Sequence, residues 1–180
     1  TRDLFAPAPR EHIRDPNAPV FAAVTGWNRL KNLESLLEAY QIARQTLPRA
    51  QLRVIGIVKG NGKGRERAME RAGLFNGVTI LGRLPYRESL DMIEHEVDLV
   101  VHPTLEESFS MVTLEAMAKG VPVIGGIRSG AIPWLLNHGQ SGVVVDVRKP
   151  PEIAREMINL VENEERYALL AAAAHQRALE

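Results

Sequence analysis

The 180-residue sequence contains no cysteine, which removes disulfides and thiolate chemistry from consideration. Excess charge of either sign is also absent. Twenty-two basic and 22 acidic side chains balance to a formal net charge of +0, so no global field draws the chain to nucleic acid or to an anionic membrane. Any ligand must therefore be recognised by a local site. No apolar run approaches the roughly 20 residues that a membrane-spanning helix needs, and cytoplasmic residence is the expectation. Motifs are missing too. His95 and His102, with Glu94 and Glu96 nearby, do not form H-E-x-x-H and share no helix face, so no zinc is expected. No D-x-D occurs, which leaves a carboxylate-held metal on a diphosphate without support. "TGWNRL" (25–30) lacks G-x-G-x-x-G, and Trp27 would block the close approach of a dinucleotide pyrophosphate. "KGNGKGRER" (59–67) lacks the leading glycine of a phosphate loop and has Gly64 where Ser or Thr should bind metal, so a mobile, solvated basic turn is expected there.

What remains is an ordinary globular composition, 45% apolar, on a chain of one-domain length. The opening "TRDLFAPAPREHIRDPNAP" is charged, rich in proline and without periodicity. Residues 1–17 read as an interdomain linker and 18–180 as the domain. From Val20 onward short apolar runs alternate with helical patterns: "VFAAVTG", a helix carrying Leu33, Leu36, Leu37 and Tyr40, "LRVIGIV", "VTILG", a helix near "YRESLDMIEHE", "VDLVVHP", a helix after Phe109, "VPVIGG", a short turn of helix near Trp134, "GVVVDV" and two final helices. Strands that are apolar almost throughout belong to a parallel sheet covered on both faces, hence an α/β, doubly wound, Rossmann-like domain.

In the common strand order of such sheets the first and fourth strands are neighbours where the order reverses, and ligands bind at their carboxyl ends. Two loops are thereby singled out, Thr25 to Asn32 and His102 to Ser110. The first places Arg29 and Lys31 ahead of a helix expected to begin at Asn32 as N-cap. Two cations at the positive pole of a helix are disfavoured unless an anion lies between them, and a diphosphate would be such an anion. The second loop also ends at a helix N-terminus, with Ser108 or Ser110 placed to cap it and free amides facing the same crevice. His102, at the end of the fourth strand, is placed where it could touch the ligand but reads first as a satisfied structural histidine, and Trp27 and Trp134 read as packing rather than base-stacking residues.

On the helix that follows, Met111, Leu114 and Ala118 form one apolar arc and Val112 with Ala116 extend it, while Glu115 falls between them. An unpaired buried glutamate costs several kcal/mol, so Glu115 either pairs with Lys119 one turn on or serves a ligand. Glu107 stands eight residues earlier. At about 1.5 Å per helical residue the two carboxylates lie up to roughly 12 Å apart, too far for an acid and nucleophile pair in glycoside hydrolysis. They suit different parts of one long ligand, a ribose and a hexose with a diphosphate between.

"HPTLEESFSMVTLEAMAKGVPVIGG" (102–126) resembles P-S-x-x-E-G-F-G-L-x-x-x-E-A-M-A-x-G-x-P-V-V of the C-terminal, donor-binding domain of retaining GT-B glycosyltransferases of the glycosyl transferases group 1 family. "GAIPWLLNHGQSGVVVDV" resembles a second motif of that family, and "TRDLFAPAP" resembles its segment entering this domain from the N-terminal one. The resemblance implies that Glu107 contacts the donor sugar and Glu115 the nucleotide ribose. It makes Lys31 the phosphate lysine and Arg29 the accompanying arginine, and Glu107, Lys31 and Arg29 the catalytic set. It places Gly26 and the turn Ser108, Phe109, Ser110, Met111 and Val112 around the donor, with Arg83 and Leu84 bordering the base. It further implies a nucleotide diphosphate sugar, taken to be a UDP-sugar, no metal or other cofactor, and an acceptor-binding N-terminal domain as partner. This sequence departs from the pattern at Trp27 after Gly26, at Ser110 in place of glycine and at Trp134 in place of glutamate.

Overall fold

Strands with apolar side chains at consecutive positions require cover on both faces, and the computed structural model, which describes residues 12–180, provides it. Six parallel strands, β1 (Val20–Val24), β2 (Gln51–Ile55), β3 (Val78–Gly82), β4 (Leu99–His102), β5 (Val123–Gly126) and β6 (Val143–Val145), form one sheet in the order β3-β2-β1-β4-β5-β6. Phe21 on β1 stands opposite Leu52 on one side and Leu99 on the other, so the expected reversal of strand order falls between β1 and β4. Side chains of a strand alternate between faces. Phe21, Ala23, Leu99 and Val101 enter a core closed by α1 (Leu33–Thr46), α2 (Lys63–Arg71) and α6 (Pro150–Glu162). Ala22, Val100 and Val123 enter the opposite core, closed by α3 (Tyr86–Glu96), α4 (Met111–Ala118), α5 (Ile132–Leu135) and α7 (Glu164–Ala178). The doubly wound α/β expectation holds.

Three local expectations need correction. Residues 59–67 are not merely a solvated turn, because α2 begins at Lys63. Its anchor is buried Glu66, whose carboxylate accepts the amides of Gly60 (2.8 and 2.9 Å) and Gly62 (3.0 Å), the groups that a phosphate loop would have offered to a ligand. Asn32 does stand at the N-cap of α1, as expected, but its side chain makes no cap hydrogen bond. The chain leaves a 3-10 turn, Arg29–Lys31, through Asn32 at φ 50°, a left-handed conformation that asparagine tolerates better than most residues, and its side chain is used elsewhere. Finally, α4 is seated differently from the expected arc: Thr113, Ala116, Met117 and Ala118 are buried while Met111 is 51% exposed. α4 is wedged among α3, α5, α7 and two strands, so most of its circumference is covered and only its first turn reaches the surface.

The resembling segment "TRDLFAPAP" lies outside the described residues. The described end of the lead-in is laid against the domain: His12 Nε2 is 2.7 Å from Asp98 Oδ1, and Arg14 donates to the Val161 carbonyl at 2.9 Å with its guanidinium 3.6 Å from the centre of the Tyr167 ring.

Candidate functional site

The loops after β1 and β4 are stitched together by the backbone. Leu105 N–H donates to the Leu30 carbonyl at 2.8 Å, and Asn32 Nδ2 donates to the carbonyls of Pro103 (3.1 Å) and Val147 (2.8 Å). One asparagine thus ties the first loop to the second and to the segment that follows β6. The second loop is held from its far side too. Ser129 Oγ donates to the Thr104 carbonyl, and Ala131 N–H to the Glu107 carbonyl at 3.0 Å. Gly130 sits between them at φ 58°, and a Cβ there would lie 2.1 Å from the Glu107 carbonyl oxygen. Only glycine permits that approach.

These constraints converge on an open pocket of about 380 Å3 at the carboxyl ends of β1 and β4. Lys31 Nζ lies 2.9 Å from Glu107 Oε2 inside it, and His102 Nε2 lies 3.5 Å from the same oxygen. His102 is 3% exposed, and its Nε2 makes no hydrogen bond, so it is not the satisfied structural histidine expected from the sequence. Burial first, then the Lys31 charge, lower its pKa to about 4 against the opposing pull of Glu107; at neutral pH the ring is uncharged. Burial pushes the Glu107 carboxyl up, but the Lys31 hydrogen bond and charge, with His102, outweigh it and hold the group below its ordinary value. The two-cation conflict inferred at this pole is relieved in part within the protein, by Glu107.

Glu115 occupies separate surroundings. It is 7% exposed, and burial raises its carboxyl pKa while a hydrogen bond from the Tyr86 hydroxyl at the start of α3 pulls it back. The Tyr86 hydroxyl is raised in turn, by desolvation first and by Glu115 second. Lys119 does not pair with Glu115. It pairs with Glu94 on α3 at 2.7 Å, which excludes the helix-neighbour reading and leaves a buried carboxylate beside a tyrosine that is itself 58% exposed.

Of the residues singled out from sequence, Gly26, Lys31, Glu107, Phe109, Ser110, Met111 and Val112 line the one pocket. Ser110, in place of the motif glycine, is buried and turned away: its Oγ accepts from the Thr113 amide at 3.2 Å and from the Thr113 hydroxyl at 2.9 Å, capping α4. Ser108 is exposed, as is Arg29 on the 3-10 turn, and neither is among the lining residues. Arg83 is exposed after β3, and Leu84 packs on the core formed with α3. Trp27 packs edge-on against Phe75 and donates from Nε1 to the Val58 carbonyl at 3.0 Å. Trp134, by contrast, is 57% exposed, with the Arg177 guanidinium over its ring, so it is no core residue. Sequence reasoning missed Asn32 as a latch, Tyr86 as the partner of Glu115 and the steric demand on Gly130. The one available signal was the glycine of "SGAIP".

Known proteins are similar to this chain in sequence and in architecture. The family described as "Glycosyl transferases group 1" matches residues 7–177. D-inositol 3-phosphate glycosyltransferase of Corynebacterium kroppenstedtii is 33% identical over 155 residues, 83% of this chain and 34% of that protein. The C-terminal domain of the group 1 protein LpcC from Francisella tularensis superimposes with a TM-score of 0.78 at 21% identity, covering 98% of this chain and 95% of that one. Anabaena Alr3699/HepE in complex with UDP-glucose gives a TM-score of 0.76 at 27% identity over 90% of this chain and 44% of that one. The chain spans about a third to two-fifths of the length of the curated relatives it matches, from 34% to 44%.

Proposed function

Because the chain belongs to the glycosyl transferases group 1 family, we propose that its β1/β4 crevice binds the nucleotide diphosphate sugar donor of a retaining glycosyltransferase. The observation that carries this reading is the Lys31–Glu107 pair, a partly exposed cation and carboxylate 2.9 Å apart at the mouth of α4. An anionic diphosphate competes for Lys31, assisted by the amides of the first turn of α4. Glu107, once released, accepts hydrogen bonds from sugar hydroxyls, while Glu115 takes the ribose. Arg29 adds a second cation from its exposed turn, and the backbone near Arg83 and Leu84 borders the base. In transfer, charge develops on the departing diphosphate, and Lys31, Arg29 and the helix amides are the groups set to stabilise it without a metal. The acceptor then comes from a separate, N-terminal domain. That a 27% identical structure holds UDP-glucose supports a UDP-sugar as the donor.

Titration calorimetry tests the division of roles. Lys31→Ala should weaken UDP by about 1.5 to 3 kcal/mol while uridine binding hardly changes, since only a charge-assisted phosphate contact is lost. Glu115→Ala should weaken UDP itself; Glu107→Ala should not weaken UDP, because it removes the carboxylate that competes for Lys31, and should weaken UDP-glucose relative to UDP. Thermal shift with UDP, GDP, ADP and NAD identifies the base. Loss of UDP binding in both glutamate variants, with folding intact, would sink the assignment.

A further inference from the structure

The site contains one polar atom that neither the fold nor the proposed donor contacts use. His102 Nε2 is buried without a hydrogen bond, yet it lies 3.5 Å from Glu107 Oε2, the same oxygen that Lys31 holds at 2.9 Å. A buried nitrogen left unpaired is costly, and native structures seldom keep one without a use. Here the use is visible in the geometry. Glu107 has two basic neighbours on one oxygen and accepts a hydrogen bond in the free protein from Lys31.

We propose that His102 is a positioning residue that takes over Glu107 through Nε2–H when an anionic diphosphate draws Lys31 away, its imidazole gaining one proton from solvent as it does so. The inference rests on the donor reading of this pocket and adds to it a second partner for the sugar-facing carboxylate. Without such a partner, a diphosphate that captured Lys31 would leave Glu107 partly buried, uncompensated and repelled by the incoming anion. With it, the carboxylate stays in place as one cation is exchanged for another. The direction of proton movement follows from charge. Lys31 is what disfavours the imidazolium after burial itself, and Glu107 is what favours it. A diphosphate on Lys31 cancels the first influence and adds negative charge of its own, so the ring gains its proton on binding. Among the described residues, Lys31 and Glu107 are the charges that act on the ring: β1 and β5, on either side of β4, carry no ionisable group, and the one on α4 is Glu115, engaged by Tyr86.

The test uses the whole 180-residue chain, with UDP-glucose as the probe, because its diester diphosphate does not titrate near neutrality and any proton taken up belongs to the protein. Calorimetry at pH 6 in two buffers of different ionisation enthalpy should show uptake approaching about one proton per molecule bound, and affinity should rise roughly five- to tenfold from pH 7 to pH 5.5. His102→Asn should abolish both effects, which a merely space-filling histidine would not control. Binding with no proton uptake, or uptake that persists in His102→Asn, would overturn the inference while leaving the donor reading intact. A ligand-free arm keeps the two separable: Lys31→Met removes the competing cation, and the His102 ring should then titrate on the order of one pH unit or more higher by NMR than in the wild type. An unmoved titration in that variant overturns the hand-off whatever the donor does, whereas failure of UDP-glucose to bind overturns the donor reading and, with it, the hand-off built on it.

Discussion

Glu115 and His102 are both buried and ionisable, and each is kept in its neutral direction by burial, with opposite consequences for chemistry. For Glu115 the relevant neighbour is the Tyr86 hydroxyl, which occupies its carboxylate as a ligand hydroxyl would. Tyr86→Phe should therefore destabilise the free protein by about 1 kcal/mol and tighten UDP several-fold, because the bound state no longer displaces a hydrogen bond. Calorimetry and urea unfolding read the two effects; weaker UDP binding would show that Tyr86 touches the ligand instead. For His102 the sign runs the other way. Its folded value, about 4, lies below the ordinary 6.5, so its contribution to stability is complete above pH 6.5 and is lost as pH falls through that value toward 4. Each pH unit between the two values is worth about 1.4 kcal/mol, so wild type should lose up to about 3 kcal/mol more than His102→Asn between pH 7.5 and pH 4 in urea unfolding. Equal losses would mean that the imidazole is not buried neutral. Of these features, a glutamate inside an apolar run is readable from sequence; the partners are not, since Tyr86 and Lys31 reach the site from distant stretches of chain.

At the scale of elements, what can be read depends on how far local chemistry decides the outcome. The six strands announce themselves through consecutive apolar residues, and α3 matches its expected span, because burial on a sheet leaves that pattern. Helix α2 does not, since "KGRERAMER" offers Met69 as its buried apolar anchor and depends on Glu66 gathering the Gly60 and Gly62 amides. Asn32 misleads for a related reason: as an N-cap residue it looks local, whereas its amide bridges Pro103 and Val147. The loop carrying Glu107 is positioned by the turn before α5, where Gly130 leaves no room for a methyl group. Gly130→Ala combines a left-handed backbone with a backbone clash and should cost about 2 kcal/mol or more. It should also weaken UDP-glucose more than UDP, because the displaced atom is the carbonyl of Glu107. Urea midpoints and paired titrations check this, and an equal loss for both ligands would mean that the turn does not position the sugar-facing carboxylate.

For the molecule as a whole, strand order, both cores and the place of the crevice are readable because a parallel sheet with short crossovers admits few arrangements. What no local pattern can supply is the opposite wall. The pocket is open, and Phe109 and Met111, which line it, leave large apolar surface exposed. Glycosyl transfer needs donor and acceptor held in near-attack geometry, an effect worth roughly 7 to 11 kcal/mol; on the proposed reading the residues around this crevice supply the donor side of such an arrangement, in a chain that spans 34% to 44% of the curated relatives it matches. These 180 residues by themselves should bind UDP-glucose without transferring glucose. UDP release and glycoside formation, followed with the purified chain over a panel of sugar and polyol acceptors, should stay at the level of buffer alone, and adding acceptor should not alter UDP-glucose affinity. Acceptor-dependent turnover above that level would show that this crevice assembles the whole reaction unaided, and the division of the site between two domains would have to be abandoned.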